Sequence, residues 1–220
     1  MIVGDSAIGE VAYEYFTYDS EYEVVAFSVE SAYLKNENKF GLPVVAFESV
    51  EKRFAPEEHA IFVAVGFAKM NRVRARLFRE AKAKGYLLAS YISSKAFVWH
   101  NVTIGENAFI LENNVLQPFS TIGDDVVLWS GNHIGHHVKI GSHVFISSQV
   151  VLSGFVEIGD HCFVGVNAAV SQGVKIERDC LVGAGANIQR NTDARAIYAV
   201  EGTKKRPVDA LVYSGVKENE

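Results

Sequence analysis

Four of the chain's seven histidines fall within twelve residues, NHIGHHVKIGSH at 132–143. Imidazoles packed that densely suit more than one chemistry. Three rings converging at about 2.0–2.1 Å on zinc would make a metal site. One neutral ring beside a reacting amine or hydroxyl would take its proton near pH 7. Rings pointing apart on a repetitive scaffold would be ordinary surface. The choice depends on where the backbone aims each side chain, so the elements that carry the histidines come first.

From Ala96 to Asn191 the sequence divides without a gap into sixteen hexads, from AFVWHN and VTIGEN to CLVGAG and ANIQRN. Their third position is Ile, Val or Leu in every one, and their fourth is Gly in seven. A period of six fits neither a 3.6-residue helix nor a plain strand. It fits a β-helix in which each hexad is a short strand plus a corner and three hexads make one triangular coil. The third-position aliphatics fill the prism, glycine permits the tight corner, and residues 18 apart stack about 4.8 Å from one another. Sixteen hexads give just over five coils.

The first 93 residues alternate strands and helices. MIVG, YEVVAF, LPVVAF and AIFVAVG are short apolar strands, and YLLASYIS closes the half as another. EVAYEYFTY has helical spacing, and so does MNRVRARLFREAKAKG, with Val73, Leu77 and Ala81 on one stripe and Gly85 as a stop. The pattern predicts a small, mostly parallel sheet with helices on its faces. The expected class is mainly β: an α/β domain over 1–93, a parallel β-helix over 94–191, and a tail over 192–220.

A net charge of −5 argues against a nucleic-acid partner. The sequence contains no apolar run near the roughly 20 residues a membrane span requires, and MIVGDSAIGE lacks the pattern of a secretory signal. A soluble cytoplasmic protein is expected. Two cysteines, 162 and 180, fall 18 apart and should stack as packed thiols, and Asn114 and Asn132 should hydrogen-bond along a column.

The hexads resemble the [LIV]-G-x-x-x-x repeat of the hexapeptide acyltransferase superfamily, which folds as a left-handed β-helix and is usually trimeric. An α/β domain ahead of them is similar to the sialic-acid O-acetyltransferase-like branch, including enzymes that N-acetylate nucleotide-linked amino sugars. The resemblance therefore implies a homotrimer, acetyl-CoA as co-substrate, a nucleotide-linked amino deoxysugar as acceptor and no metal. That branch carries its base as a His followed by an acid just before a C/V-x-I-G start, and GHHVKIG matches with His136 as the base. His137 stands where the family often has Asp or Glu.

In the His136 column, at 18-residue steps, stand His100, Pro118, Gly154, Gln172 and Arg190. Gly154 is expected to leave an open notch for a pantetheine arm. His143 and His161 should stack as a solvated ladder. The resemblance places cofactor contacts at Val166, Ala184 and Lys204, the last with Lys205 and Arg206 in EGTKKRP. At Phe145, where relatives often have a second histidine on the thioester oxygen, a cofactor contact is expected only through a replacement such as the backbone amide. GDSAIGE resembles the branch's glycine-rich nucleotide turn, implying Ser6, Ala7 and Ile8 as substrate contacts. Ser28 and Val29 hold the place of paired aspartates, and VAVG implies Gly66. Three other readings stay open: a sugar O-acetyltransferase, a non-catalytic nucleotide-sugar binder, and a zinc enzyme like the gamma-class carbonic anhydrases. For the last, His100 and His136 lie two coils apart but no third ligand stands at that family's spacing.

Overall fold

Short apolar runs bounded by glycine-rich turns form the strands of the N-terminal sheet in the computed structural model, which describes residues 1–216. The elements are β1 (Ile2–Val3), α1 (Ala7–Tyr18), β2 (Phe27–Val29), β3 (Asn38–Lys39), β4 (Leu42–Ala46), β5 (Ala60–Val63), α2 (Arg72–Ala83) and β6 (Leu87–Leu88). The sheet order is β3-β4-β2-β1-β5-β6, parallel except for the β3–β4 hairpin. The chain leaves β1 for β2 on one side and reaches β5 on the other. The carboxyl ends of β1 and β5 therefore flank a switch point, where open α/β sheets leave a crevice. YEVVAF contributes only its last residue to β2, and YLLASYIS splits. Leu87–Leu88 stays in this sheet, while Tyr91–Ile92 pairs with Phe109–Ile110 and opens the prism. The coils therefore start ahead of Ala96.

Each hexad then supplies a two-residue strand at its second and third positions, and up to Ala169–Val170 each pairs in parallel with the strand 18 residues on, as Ile134 with Leu152. The third-position side chain points inward, and so does the small or branched first-position residue. Together they form one continuous apolar column from Ala108 to Ile188. At roughly 25 cal/mol per Å² of buried apolar surface, this column is the main force holding the prism.

The three faces differ in what they show outward. Tyr91, Phe109, Val127, Phe145 and Phe163 form a covered face beneath the α/β domain, packed on Phe16, Phe27 and Phe62. Phe97, Val115, His133, Val151 and Ala169 make a mostly apolar face, with Phe97 and Val151 exposed. Thr103, Thr121, Lys139, Glu157 and Lys175 make a polar one.

Among the described residues only three corners use a left-handed glycine, Gly131, Gly173 and Gly185, and these stand at the sixth position of the hexad rather than the fourth. The left-handed residue is the sixth of the hexad, held by Asn107, Asn113, Phe119, Asp125, His137, His143, Phe155 and His161 among others, all with φ between 53° and 65°. Asn and Asp tolerate that conformation, and larger side chains pay about 1–2 kcal/mol for it. The fourth-position glycines answer a different need. A Cβ on Gly123 would lie 2.7 Å from the Gly141 carbonyl carbon in the next coil. The tight stacking of coils, not a positive φ, excludes side chains there. The winding continues past Asn191, with Ile197–Tyr198 paired in parallel to Leu181–Val182, so the expected tail starts later than residue 192; it carries one short turn of helix at Ala210–Tyr213. Residues 217–220 of the expected tail lie outside the described residues.

Candidate active site

His136 and His137 occupy the turn joining His133–Ile134 of the apolar face to Lys139–Ile140 of the polar face. Both rings are exposed on the chain. The backbone N–H of His136 donates to Gln117 Oε1 at 2.9 Å, and its Nδ1 lies 3.1 Å from Nδ1 of His137. Its remaining nitrogen, Nε2, hangs over Gly154. A Cβ built there would sit 2.6 Å from both Nε2 and Cε1. The expected notch is therefore filled by the imidazole itself, and Gly154 is buried under it. Glycine at 154 makes room for the ring rather than for a ligand.

The sixth-position column of this corner is aromatic. Phe119 and Phe155 stack on the two faces of His137, with centroids 4.8 and 4.7 Å away. Phe155 also meets His136 edge-on at 5.0 Å. Phe119, His137 and Phe155 stand 18 apart, so the column is readable in the sequence beside that of His136.

At the corner between the polar and covered faces the same position reads Asn107, Asp125, His143, His161 and Asp179. These residues anchor the α/β domain. His143 and His161 do stack, at 4.8 Å, but beneath α2 rather than in solvent. His143 Nδ1 contacts Asp125 Oδ2 at 2.8 Å, and the other Asp125 oxygen accepts from Asn107 Nδ2 and from Arg74 Nε. Arg74, buried in α2, also donates to the Asp125 and Val144 carbonyls and to Asn71 Oδ1. Asn107 Oδ1 takes the Val63 N–H at 2.7 Å. Burial, then the nearby Arg72 cation and then His143, push the His161 imidazole down to about 4. Helical spacing gave no sign that Arg74 faces inward.

A cavity of about 690 Å³ opens at the carboxyl ends of β1, β2 and β5, lined in part by Gly4, Asp5, Ser6, Val29, Lys69, Arg72 and Arg76. Ser6 begins α1 without capping it through its side chain, which leaves the helix's first N–H groups without a side-chain partner at the end that borders this space. Of the expected substrate contacts, Ser6 and Val29 line the cavity. Ala7 and Ile8 form the first turn of α1 beside it, and Ile8 Cδ1 packs where a Gly66 Cβ would come within 3.0 Å. Ser28 does not line it: its side chain is fully buried, and its hydroxyl has no hydrogen-bond partner among the described residues. The three basic residues were missed because they belong to α2 and its approach rather than to the glycine-rich turn. Lys69, Met70 and Asn71 on that approach all have left-handed backbones, local strain of the kind that collects at ligand sites.

The expected cofactor contacts do not gather at His136 within one chain. Val166 and Ala184 stand exposed at the corner between covered and apolar faces, and Lys204 extends from the tail with its amine 3.9 Å from Glu201. Phe145 is buried on the covered face against Phe67 and Phe163, so its side chain cannot reach that corner. Among the described residues no three His, Cys, Asp or Glu side chains converge as a metal site would require, and Pro118 stands between His100 and His136 in their column. Asn132 does donate to Asn114 Oδ1 at 3.0 Å, and Cys162 and Cys180 are buried free thiols.

Comparison with known proteins agrees with this architecture. Residues 119–154 match the bacterial transferase hexapeptide (six repeats) family, and residues 155–190 match the hexapeptide repeat of succinyl-transferase. A search of curated proteins finds no match. Among solved structures, the acetyltransferase domain of PglB from Neisseria gonorrhoeae is 26% identical, with a TM-score of 0.81 over 90% of this chain and 95% of that one. PerB from Caulobacter crescentus, solved with CoA and GDP-perosamine, is 26% identical, with a TM-score of 0.82 over 90% of this chain and 92% of that one. The WeeI protein of Acinetobacter baumannii, 19% identical with a TM-score of 0.66 over 91% and 95%, shares the fold. With its sixteen consecutive hexads wound into a three-faced prism behind an α/β domain, the chain fits the hexapeptide-repeat acyltransferase superfamily, and its solved neighbours are left-handed β-helix acetyltransferases.

Proposed function

We propose that the protein is an acetyl-CoA-dependent N-acetyltransferase acting on the amino group of a nucleotide-linked amino deoxysugar, with His136 as general base. The observation that carries this reading is the His136 ring itself. Its Nδ1 is engaged by His137, and its Nε2 meets no hydrogen-bond partner among the described residues. In the proposed step Nε2 takes a proton from the sugar amine as the nitrogen attacks the thioester carbonyl carbon. The C–N bond forms, the C–S bond breaks, and the departing thiolate receives the proton from the imidazolium, giving amide and free CoA. A positioned imidazole contributes about 10²- to 10⁴-fold to such a transfer. Backbone N–H groups at the coil corners are the candidates for holding the oxyanion.

The nucleotide occupies the cavity at the carboxyl ends of β1, β2 and β5 in this reading. Its phosphates meet the start of α1 and the cations of Lys69, Arg72 and Arg76. Neighbours of similar length bind CoA, acetyl-CoA and GDP-perosamine, which supports the same two substrate classes here. The working unit is a homotrimer joined through the apolar face, where Phe97, Trp99 and Val151 are exposed. Packing between copies would bring the corner bearing Val166 and Ala184 on one protomer towards His136 on its partner, supplying the CoA contacts a single chain lacks. A cytoplasmic setting is consistent with two free thiols, and no helix among the described residues is long and apolar enough to cross a membrane.

The test is release of CoA from acetyl-CoA against a panel of UDP-, dTDP- and GDP-linked amino sugars and their hydroxyl counterparts. Acetylation of an amino member by the wild type, with turnover lost in His136→Asn while CoA binding by calorimetry persists, is the expected result. Undiminished turnover in that variant would reject His136 as base, and acetylation of the hydroxyl sugars alone would reject N-transfer.

A further inference from the structure

Building on the assignment of His136 as base, we infer that His137 is its positioning residue. A neutral imidazole acceptor at 137 would then do the work of the carboxylate that this chain lacks after its base. Two imidazole lone pairs repel, so Nδ1 atoms 3.1 Å apart must share one proton between them. If His136 carries it, His136 Nε2 keeps its lone pair over Gly154 and serves as base. If His137 carries it, Nε2 of His136 is itself protonated and the ring is inert toward an amine. The tautomer of His137 therefore decides whether the base exists.

Several independent contacts hold His137 as the acceptor's frame. Its backbone is left-handed at φ 58° and donates to the Pro118 carbonyl at 3.1 Å. Its ring lies nearly parallel to both neighbouring phenyls, 28° from Phe119 and 19° from Phe155. Clamped on both faces, the ring can present only its edge, and Nδ1 of that edge meets His136. The edge-on contact of Phe155 with His136 fixes the second ring against the first. An aromatic clamp of this kind has no use for a carboxylate, whereas it suits an imidazole. A coherent local arrangement thus accompanies the departure from the family pattern.

Two substitutions separate the acceptor from the clamp. His137→Phe keeps the stack and removes the acceptor, while His137→Asn keeps an acceptor oxygen, tolerates the left-handed backbone and weakens the stack. The measurement is kcat and KM for acetyl-CoA and for the amino sugar that the panel identifies. The expected result is a kcat lower by about 10- to 100-fold in His137→Phe, the range for outer partners that orient a working imidazole, with both KM values held. His137→Asn should turn over about tenfold faster than His137→Phe. A His137→Phe enzyme at wild-type kcat, or an Asn variant no better than the Phe variant, overturns the inference. Nitrogen-15 NMR of histidine-labelled wild type tests it without any variant: His136 must show a protonated Nδ1 and a bare Nε2, and the opposite tautomer refutes the dyad. If His136→Asn retains turnover, the base assignment fails. If only His137→Phe is silent, the base stands and the dyad alone falls.

Discussion

Adding a single methyl group at Gly154 should disable the enzyme without loosening it. The new carbon would lie 2.6 Å from Cε1 and Nε2 of His136 and 3.2 Å from Cδ2, where ordinary contact begins at 3.4 Å. The ring must therefore withdraw by the difference of 3.4 and 2.6, about 0.8 Å. It cannot slide toward His137, whose Nδ1 is already at hydrogen-bond distance, so it swings out and leaves that partner. A displacement of about 1 Å in a positioned group costs on the order of 100-fold in rate. Gly154 has no left-handed backbone for alanine to strain, and reducing unfolded-chain freedom favours the variant by about 0.4–1 kcal/mol. Gly154→Ala should thus show a kcat lower by about 100-fold with a melting temperature unchanged or slightly raised. Turnover is followed by the free thiol of released CoA, and unfolding by circular dichroism. A kcat within threefold of wild type would refute the placement of the ring over Gly154. Loss of both activity and stability would mean that the methyl group disturbs the coil rather than the base.

Two further outcomes concern the junction of the domains. Replacing Asp125 by Asn leaves the buried Arg74 guanidinium facing a neutral partner, which should cost about 3–5 kcal/mol; urea unfolding measures it, and a loss under 1 kcal/mol would contradict the ion-pair account. His161 stays neutral in the folded chain down to about pH 4, while the unfolded chain takes up that proton near 6.5. Between those values the unfolded state binds more protons, so stability falls as pH drops through the window. His161→Phe keeps an aromatic ring on His143 and should flatten that part of the pH dependence, and an unaltered slope of midpoint against pH would count against it.

The hexads exposed the prism because a hydrophobic third position repeated sixteen times has no competing period. The corner histidines were legible as columns for the same reason. What each column faces was not. Counting by 18 also separates Val166 and Ala184 from the His136 corner, since 30 and 48 residues are not whole coils, yet no count tells which face the α/β domain will cover. That choice buried Phe145 and turned His143 and His161 inward. Arg74 pins one corner of that junction, and its helical neighbours mark it as a surface residue until Asp125 is seen opposite it. The role of glycine was misassigned because two constraints produce the same residue. A left-handed φ and a coil in close contact both favour glycine, and only backbone angles distinguish them. The partnership of His136 and His137 needed the corner geometry, because adjacent residues in an extended chain point apart.

Because the identity of each corner recurs only every third hexad, the length of this chain is quantised. Removing one hexad ahead of His136 would rotate the proposed base by a third of a turn, from the exposed corner onto the edge of the face that the α/β domain occupies. Removing 18 residues would leave its bearing intact and merely lower it by about 4.8 Å. Viable insertions and deletions along this lineage are therefore expected to arrive as whole storeys, or as loops that bulge from a corner and return to the same register.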